Sequence, residues 1–552
     1  MKKIRQIAVK ITLVSICFSG CHSINKKNEK GSQEQANMRI TYDDSTLTGK
    51  VLPIMMPYNR LIDPAGKVVR FGDPLFENHS LDIKNIPQSS TLVVEDRYGI
   101  TLIDTTTKKV ITSWTYKSDK QYNGLMSTYS GLKLRHTAAG TQIFWSAANG
   151  GTHRSFVMQA FWDGKELSLQ NAFVFNPVAP SPLALPNELA IHTENGRDYL
   201  YVVLNGNNQI EKIDLNTKKT IWNKPTGVAP YGIAIIGEQV FLTNWGGPLP
   251  GADSTHMETA GVPYGSTYIN PQTGATARGS VQVINQSDGN QVKEIAVGLH
   301  PNAIIPSKDG HFLYVANANS DMISVISVAD LSVTENIPVR LVAGNKGFIG
   351  DSPNALAIND DGTNLYAANG LDNAVALIKL GQNASLKGKG KSVIKGFIPT
   401  EAYPGGLLLD NNTLFVTNLE GEGSRTGTDE FKTNEVPQNV TAYNSHHELA
   451  TISIIPLPGD KLLKQYTERV KKLNLTFREK IARLTPRSNI APKPIPDRIG
   501  EPSVFKHVLY IIKENRTYDQ VLGDIGQGNS MPSLCIFGNN ITPNQHQLAK
   551  NF

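Results

Sequence analysis

One short apolar pattern returns seven times along the chain, and each return ends in a turn. Most copies close on a small or polar residue, as in 313–317 (LYVAN) and 365–369 (LYAAN). The copies lie at 92–96, 143–147, 200–205, 240–244, 313–317, 365–369 and 414–418. Repetition of this kind predicts an architecture in which every unit is one supersecondary element.

Each unit is predicted to contain four strands. Most copies are followed by a strand with period-two alternation, such as 281–285 (VQVIN), which indicates one buried face. A β-branched strand and a proline-containing loop, such as 300–303 (HPNA), complete the unit. Because one such sheet cannot bury both of its faces, units of about 40–50 residues are expected to stack around an axis. We therefore predict a mainly β fold with a seven-bladed propeller over residues 49–458, with six or eight blades as alternatives.

The repeat YVAN…ISVIS resembles the YVTN family of β-propeller repeats, and the resemblance covers roughly residues 50–458. It implies that residues 59–73 form the opening strand pair and that 450–456 (ATISIIP) closes the ring beside it. The asparagines that end three copies are expected to satisfy backbone groups in turns rather than to bind a ligand. They are Asn317, Asn369 and Asn418.

Two long insertions, 246–280 and 419–448, interrupt the repeat and show neither strand nor helix periodicity. Long loops on a rigid ring are where binding usually occurs. The second insertion ends in His446-His447-Glu448, which are residue types that bind metals. Because adjacent side chains point in different directions, we interpret this stretch as a solvated loop.

The chain changes character after the ring. Apolar residues recur there at steps of three and four, with Lys, Arg and Glu between them, which predicts an amphipathic helix within 457–485 that packs across the propeller or against the next domain. The recurring residues are Leu462, Leu463, Tyr466, Val470 and Leu473. Residues 491–503 are proline-rich, so 459–502 is interpreted as a helical and extended linker.

The candidate chemistry lies in the last fifty residues. The apolar run 506–513 (KHVLYIIK) predicts a buried parallel strand, and Thr517 with Gln520 forms a capping-box pattern that predicts a helix start. Glu514 and Asn515 would then lie at the carboxyl end of a strand, where open α/β sheets bind ligands. Carboxylate and amide oxygens suit a divalent cation, so we predict that these two residues are metal ligands.

Residues 513–524 (KENRTYDQVLGD) resemble the start of the phosphoesterase family that includes bacterial phospholipases C and acid phosphatases, within the alkaline-phosphatase superfamily. The resemblance implies that Glu514 and Asn515 help hold the active-site metal and that intact members hydrolyse phosphoesters with a metal-activated hydroxyl. The family's nucleophile would lie beyond Phe552. We therefore expect 503–552 to be the truncated first βα portion of an α/β domain, with no catalytic residue inside the chain and no activity.

The N-terminus has the pattern of an export signal. Positive residues precede a short apolar run at 11–18, which predicts a signal peptide over 1–20. Residues 18–21 (FSGC) resemble the lipobox of bacterial lipoproteins, which implies cleavage before Cys21 and acylation of its thiol. A plain secretory signal with an incidental cysteine is the alternative. Residues 21–48 are polar and are predicted to be a flexible tether, so we expect a lipid-anchored protein of the bacterial cell envelope.

Composition excludes several other classes. The net charge of +6 is mild for 552 residues, and no dense basic run with aromatic residues indicates a nucleic-acid partner. Three cysteines are too few for a disulfide framework. Cys17, Cys21 and His22 come near a haem-attachment spacing, but the gap is too long, which disfavours a redox propeller.

Two functions remain open on the sequence alone. The first is an exported, lipid-anchored, metal-dependent phosphoesterase. The second is a non-catalytic propeller lipoprotein that binds a partner or acts as a scaffold.

Overall fold

Seven antiparallel sheets form the ring, and each sheet is one blade. The structure is a computed structural model, which describes residues 54–55, 61–73, 76–251, 256–258, 266–342, 350–422, 448–528, 530, 532 and 535–552. The predicted tether and Cys21 lie outside the described residues, as do His446 and His447.

The strands follow the predicted four-strand cycle around the ring. Before blade 2 come β1 (Ile54–Met55) and β2 (Leu61–Ile62), which pair with each other, and β3 (Lys67–Phe71). Blade 2 contains β4 (Ser80–Asn85), β5 (Thr91–Asp96), β6 (Gly99–Asp104) and β7 (Lys109–Thr115). Blade 3 contains β8 (Met126–Ser127), β9 (Lys133–Thr137), β10 (Gly140–Asn149), β11 (Arg154–Trp162) and β12 (Leu167–Phe175). Blade 4 contains β13 (Pro186–Glu194), β14 (Arg197–Leu204), β15 (Gln209–Asp214) and β16 (Thr220–Pro225).

The second half of the ring repeats the order. Blade 5 contains β17 (Pro230–Ile236), β18 (Gln239–Asn244), β21 (Gly279–Asn285) and β22 (Gln291–Val297), with a hairpin of β19 (His256–Glu258) and β20 (Ser266–Tyr268) inserted. Blade 6 contains β23 (Pro301–Pro306), β24 (Phe312–Asn317), β25 (Met322–Ser327) and β26 (Ser332–Pro338). Blade 7 contains β27 (Pro353–Ile358), β28 (Asn364–Asn369), β29 (Ala374–Lys379) and β30 (Val393–Pro399). Blade 1 contains β31 (Ala402–Asp410), β32 (Thr413–Gly421) and β33 (Ala450–Pro456), and β3 is its outer strand.

The hydrophobic core is divided among the seven junctions between blades. At the junction of blades 2 and 3, for example, Val93 and Leu102 pack with Trp145. Second strands such as β5 and β24 are buried along their whole length, because a blade lies against each face. Outer strands such as β16 are largely exposed. The predicted seven-bladed propeller is confirmed.

The ring closes where the sequence predicted. β3, from the start of the propeller, pairs with β33 from its end. A buried ion-pair group fixes this closure: Arg70 on β3 lies 2.6 Å from a carboxylate oxygen of Glu401 and 2.6 Å from one of Glu422. N- and C-terminal segments are thus joined within one sheet, by hydrogen bonds and by charge.

Two of the three strand-ending asparagines, Asn317 and Asn369, satisfy backbone groups as predicted, whereas Asn418 bonds to side chains. Asn317 donates to the backbone carbonyls of Val315 and Met322, and Asn369 donates to that of Val339. Asn418 donates to the hydroxyls of two neighbouring side chains. All three are fully buried, so none of them is available to a ligand.

The predicted amphipathic helix is present as α1 (Asp460–Leu473), followed by α2 (Thr476–Ala482). α1 packs against β30 on the outside of blade 7. Its Leu463 enters the core between blades 7 and 1, and Val470 enters the core between blades 6 and 7. The helix therefore joins three blades, whereas Leu462 on its other face is 40% exposed.

Two local predictions were wrong. The insertion 246–280, expected to lack strands, contains the β19–β20 hairpin. Residues 506–513 were predicted to be a buried parallel strand, but they form no strand, and Leu509 is 85% exposed. An apolar run becomes a buried strand only when neighbouring strands and covering helices are present, and the described residues supply none here. The described residues of this segment therefore do not show the α/β portion of the predicted fold.

The C-terminal segment contains two short helices, α3 (Tyr518–Leu522) and α4 (Pro543–Asn551). The predicted capping box at Thr517 and Gln520 is confirmed, with both reciprocal hydrogen bonds present. Asp524 and His546 join the two helices through a hydrogen bond of 2.7 Å. No helix in the described part of the chain is both long and apolar enough to cross a bilayer.

Candidate functional site

The candidate site lies on the side of the ring at which the first strand of each blade begins, which we call the upper rim. The loops between second and third strands open on the same side, because neighbouring strands are antiparallel. Both long insertions follow a second strand, so both leave the ring at the upper rim. First strands of successive blades contact each other around the axis at most junctions, so the upper rim surrounds one end of that axis.

Six charged or titratable residues gather at the upper rim between blades 1 and 2. We call them the mouth cluster: Glu77, His79, Asp96, Arg97, Lys117 and Glu448. They come from the segment before β4, from the end of β5 and its turn, from the segment after β7, and from the end of the second insertion.

Backbone hydrogen bonds hold the two sides of the cluster together. Glu77 and Glu448 form an isolated parallel bridge, and the Glu448 N–H donates to the Phe76 carbonyl at 2.9 Å. The Asn78 side-chain amide donates to the Glu448 carbonyl at 2.7 Å. The point at which the insertion returns to the ring is therefore fixed, although residues far apart in the sequence form it.

His79 lies between two carboxyl groups. Its Nε2 is 3.5 Å from a carboxyl oxygen of Glu77 and 3.5 Å from one of Glu448. Arg97 forms a 2.7 Å ion pair with the other oxygen of Glu77, and its Nε lies 3.3 Å from the Met126 sulfur. The side chains of His79, Glu77 and Arg97 are 16–22% exposed, so a ligand can reach them from the rim.

Burial sets unusual protonation states in the mouth cluster. Burial, and then the Arg97 charge, lower the pKa of His79 to about 4, against the opposing effect of Glu77. Burial raises the pKa of Glu448 to about 9, and the nearby charges of Glu420 and Glu77 add to this. Near pH 7 the imidazole is therefore neutral and the Glu448 carboxyl keeps its proton.

Asp96 and Lys117 extend the cluster outward. Burial raises the pKa of Asp96 to about 7, although one oxygen accepts a hydrogen bond from the Tyr98 N–H. The Lys117 ammonium lies against the Phe76 ring and 3.9 Å from the centre of the Tyr98 ring, in cation–π contact. The mouth cluster thus places carboxyl groups, a neutral imidazole and basic side chains next to each other at the upper rim.

An aromatic stack forms another part of the upper rim. The Trp245 ring lies 4.7 Å from that of Tyr231 and 4.4 Å from that of His300, nearly parallel to both. His300 precedes the first strand of blade 6, as His79 precedes that of blade 2. Burial lowers the pKa of His300 to about 4, so this imidazole is also neutral. The stack provides a rigid wall at the rim.

The structure does not bring the sequence-predicted metal ligands to a strand end. Glu514 and Asn515 are exposed in an irregular stretch just before α3, because the strand expected to present them is not formed. Within the described residues, no three His, Cys, Asp or Glu side chains are grouped so that they could hold a metal ion. Binding of a divalent cation at Glu514 and Asn515 stays a prediction.

Sequence reasoning missed most of the mouth cluster. Glu448 was interpreted as part of a solvated loop, yet the residue is only 5% exposed, because the backbone pairing at the ring closure draws it inward. Glu77 and His79 carry no recognisable motif. The one available signal was their position directly before a first strand, beside the predicted closure.

Comparison with known proteins supports the fold. Residues 270–397 match the family described as "Lactonase, 7-bladed beta-propeller", which is less than a quarter of the chain. No curated protein sequence matches significantly. Among solved structures, the chain is similar to Kuenenia stuttgartiensis hydrazine synthase, at 15% identity and a TM-score of 0.43, over 62% of this chain and 93% of that one.

A candidate 6-phosphogluconolactonase of Bacteroides uniformis is also similar, at 14% identity and a TM-score of 0.38, over 61% of this chain and 88% of that one. So is U3-55K, at 9% identity and a TM-score of 0.46, over 71% and 98%. The chain is a seven-bladed β-propeller of which residues 270–397 resemble the lactonase propeller family, and the phosphoesterase assignment gains no support from these comparisons.

Proposed function

We propose that this protein is a binding propeller that holds a small polar ligand over the mouth cluster. The observation that carries the proposal is the convergence of His79, Arg97 and Glu448 from distant parts of the chain on one partly exposed spot. Titratable groups with strongly shifted pKa values are concentrated at functional sites.

The charges indicate the kind of ligand. Near pH 7 the neutral His79 offers a hydrogen-bond acceptor or donor, and the protonated Glu448 offers a donor. Arg97 adds a positive charge that is paired with the Glu77 carboxylate, and burial lowers the pKa of Lys117 to about 7, so that this side chain is positive in only part of the molecules near pH 7. A neutral or anionic molecule rich in oxygen, such as a sugar acid or its lactone, fits this arrangement.

Thermal unfolding of the full chain with a panel of aldonic acids, aldonolactones and sugar phosphates tests the proposal. A ligand at about 100 times its Kd adds about 2.7 kcal/mol of stability. We expect at least one compound to raise the melting temperature of the wild type and of the His311→Gln control, an exposed histidine elsewhere. His79→Gln should abolish that shift. An equal shift in His79→Gln would exclude the mouth cluster.

Lactone hydrolysis is a second candidate, and the family match over residues 270–397 favours it. Glu448 would donate a proton to the leaving ring oxygen, and His79 or Asp96 would accept one from water. Acid release from D-glucono-1,5-lactone at constant pH measures the reaction. Glu448→Gln should then lower the rate about 100-fold or more while binding persists. Release at the uncatalysed rate would leave binding as the function.

Phosphoester hydrolysis stays a prediction, and the local support for it is the capping box that follows Glu514 and Asn515. Because these two residues are exposed and lie at no strand end, we expect no turnover of p-nitrophenyl phosphate or its diester by residues 21–552, with or without divalent metal. Metal-dependent turnover would contradict this expectation.

Envelope localisation is also part of the proposal. Acylation of Cys21 would hold the propeller at a membrane surface, where a polar tether lets it reach soluble ligands. Labelled palmitate should enter the wild type during growth and should not enter Cys21→Ser. Labelling of both proteins would contradict a lipid anchor at this residue.

A further inference from the structure

The segment that forms α1 and α2 is strongly basic. Residues 460–487 contain nine Lys or Arg and three Asp or Glu, a net charge of +6 that equals the net charge of the whole chain. Four of the basic side chains are paired with carboxylates. The other five are exposed and form no ion pair within the described residues: Lys461, Lys464, Lys472, Arg478 and Lys480. This surface can therefore attract an anionic partner.

Contacts to the ring fix the position of α2. The side-chain amide of Asn474, between the two helices, donates to the Asp372 carbonyl in the turn between β28 and β29, at 2.8 Å. The Thr476 hydroxyl at the start of α2 donates to the Lys471 carbonyl at 3.1 Å, and Thr476 is buried. α2 is therefore held against α1 on the outside of blade 7.

One side of α2 presents apolar side chains to solvent. Phe477, Ile481 and Leu484 are spaced by four and three residues, so they lie on one face, which we call the α2 face. The last of them follows α2 in a turn closed by a hydrogen bond of 3.1 Å to the Ile481 carbonyl. The three side chains are 47–50% exposed. The Ile499 N–H donates to the Ala482 carbonyl at 2.8 Å, which brings another apolar residue, 72% exposed, beside the end of α2.

Cations of both helices lie close to one another. Lys471 lowers the pKa of Glu468 on α1, through a hydrogen bond and through its charge. The charges of Lys480 and Lys464 lower the same pKa further, so these side chains lie near the same carboxylate. Lys480 belongs to α2 and directly precedes Ile481. The basic surface of α1 therefore continues to the α2 face.

We propose that the α2 face docks on an anionic lipid surface. Its apolar side chains enter the boundary between headgroups and acyl chains, and the exposed basic side chains of α1 and α2 meet the lipid phosphates. A second copy of the chain fits this face poorly, because two basic segments would then repel each other. Three half-exposed side chains also supply far less than the roughly 800 Å² that each partner buries in a standard protein interface. The contact uses neither the mouth cluster nor acylation of Cys21.

Sedimentation of residues 21–552 with lipid vesicles tests the charge part of the contact. Cys21→Ser is present in every protein, so an anchor at that residue cannot cause binding. We expect binding to equimolar phosphatidylglycerol and phosphatidylcholine that weakens with added salt, and little binding to phosphatidylcholine alone. Lys464→Gln with Lys480→Gln should lower the affinity about fivefold for each cation removed. The matched pair Lys165→Gln with Lys219→Gln, exposed on the ring, should leave it nearly unchanged.

The same assay tests the apolar part. Ile481→Gln should lower the affinity about threefold to tenfold, because a half-exposed side chain loses its burial in the lipid. Ile221→Gln on β16, where the side chain is 49% exposed, is the matched control and should bind like the parent protein.

Three results would overturn the proposal. The first is no binding, or equal binding to the neutral vesicles. The second is binding that Ile481→Gln leaves intact and Leu509→Gln abolishes, which would place the contact at 506–513. The third is self-association that Ile481→Gln abolishes without any vesicle binding, since a second copy would then cover the α2 face.

Discussion

Arg70 offers the sharpest test of how the ring closes. It lies on β3, is 3% exposed, and is paired at 2.6 Å with both Glu401 and Glu422, whose side chains are 1% and 11% exposed. Arg70→Ala would leave two carboxylates in a buried place without their cation. Loss of one partner from a buried charge group costs about 3–5 kcal/mol, which is a large part of the stability of an ordinary domain, about 5–15 kcal/mol.

Urea unfolding of the full chain measures this loss, with Lys67→Ala on the same strand as the matched control. Lys67 is exposed, so its removal should change the free energy of unfolding by no more than about 0.5 kcal/mol. The triple variant Arg70→Met, Glu401→Gln, Glu422→Gln should recover most of the loss, because it removes the cation and both carboxylates together. A loss below about 1 kcal/mol in Arg70→Ala would refute the assignment of the closure to this group.

Three further changes test other parts of the chain. Leu463→Ala should lower the free energy of unfolding, measured in urea, by about 2–5 kcal/mol. Leu462→Ala on the exposed face of α1 should change it by less than about 0.5 kcal/mol. Equal losses in the two variants would contradict the packing of α1. Thr517→Ala should cost about 1 kcal/mol of local stability, seen as faster amide exchange in α3 but not in the ring. The hydrogen bond to Asp524 raises the pKa of His546. The stabilisation that this bond gives α4 should therefore be present at low pH and lost as the pH rises through the raised pKa of His546. If the protection of α4 amides from exchange does not change with pH, this expectation is contradicted.

The blades were predictable because their signals are local. The LYVAN strand at 313–317 alternates, ends in a turn and recurs, and each of these features depends on neighbouring residues only. The closure of the ring by 450–456 was predictable too, and β33 does pair with β3. The strand pair predicted within 59–73 was wrong, because β2 pairs with β1 and not with β3. Helix α1 followed from spacing alone, because Leu463 and Val470 fall on one face.

The mouth cluster could not be read from the sequence. Asn78 and Glu448, which hydrogen-bond there, are 370 positions apart, and nothing in either segment indicates that they meet. The protonation of Glu448 arises from burial at the closure, which is a property of the assembled ring. The interpretation of Glu448 as part of a solvated loop was therefore wrong.

Residues 506–513 show the opposite error. Their apolar run has the composition of a buried strand, but composition does not supply the neighbouring strands that bury it. The capping box at Thr517 was predicted correctly one turn later, because a cap needs only residues three positions apart. Hydrogen bonds within one helical turn were predictable from the sequence, whereas the burial of residues 506–513 was not, because it depends on neighbouring strands.

A crystal structure of the propeller with the compound that stabilises it most would test the central claim directly. The account predicts that the ligand lies at the upper rim between blades 1 and 2, within hydrogen-bond distance of His79, Arg97 or Glu448. A ligand bound elsewhere on the ring, with this cluster untouched, would contradict the account.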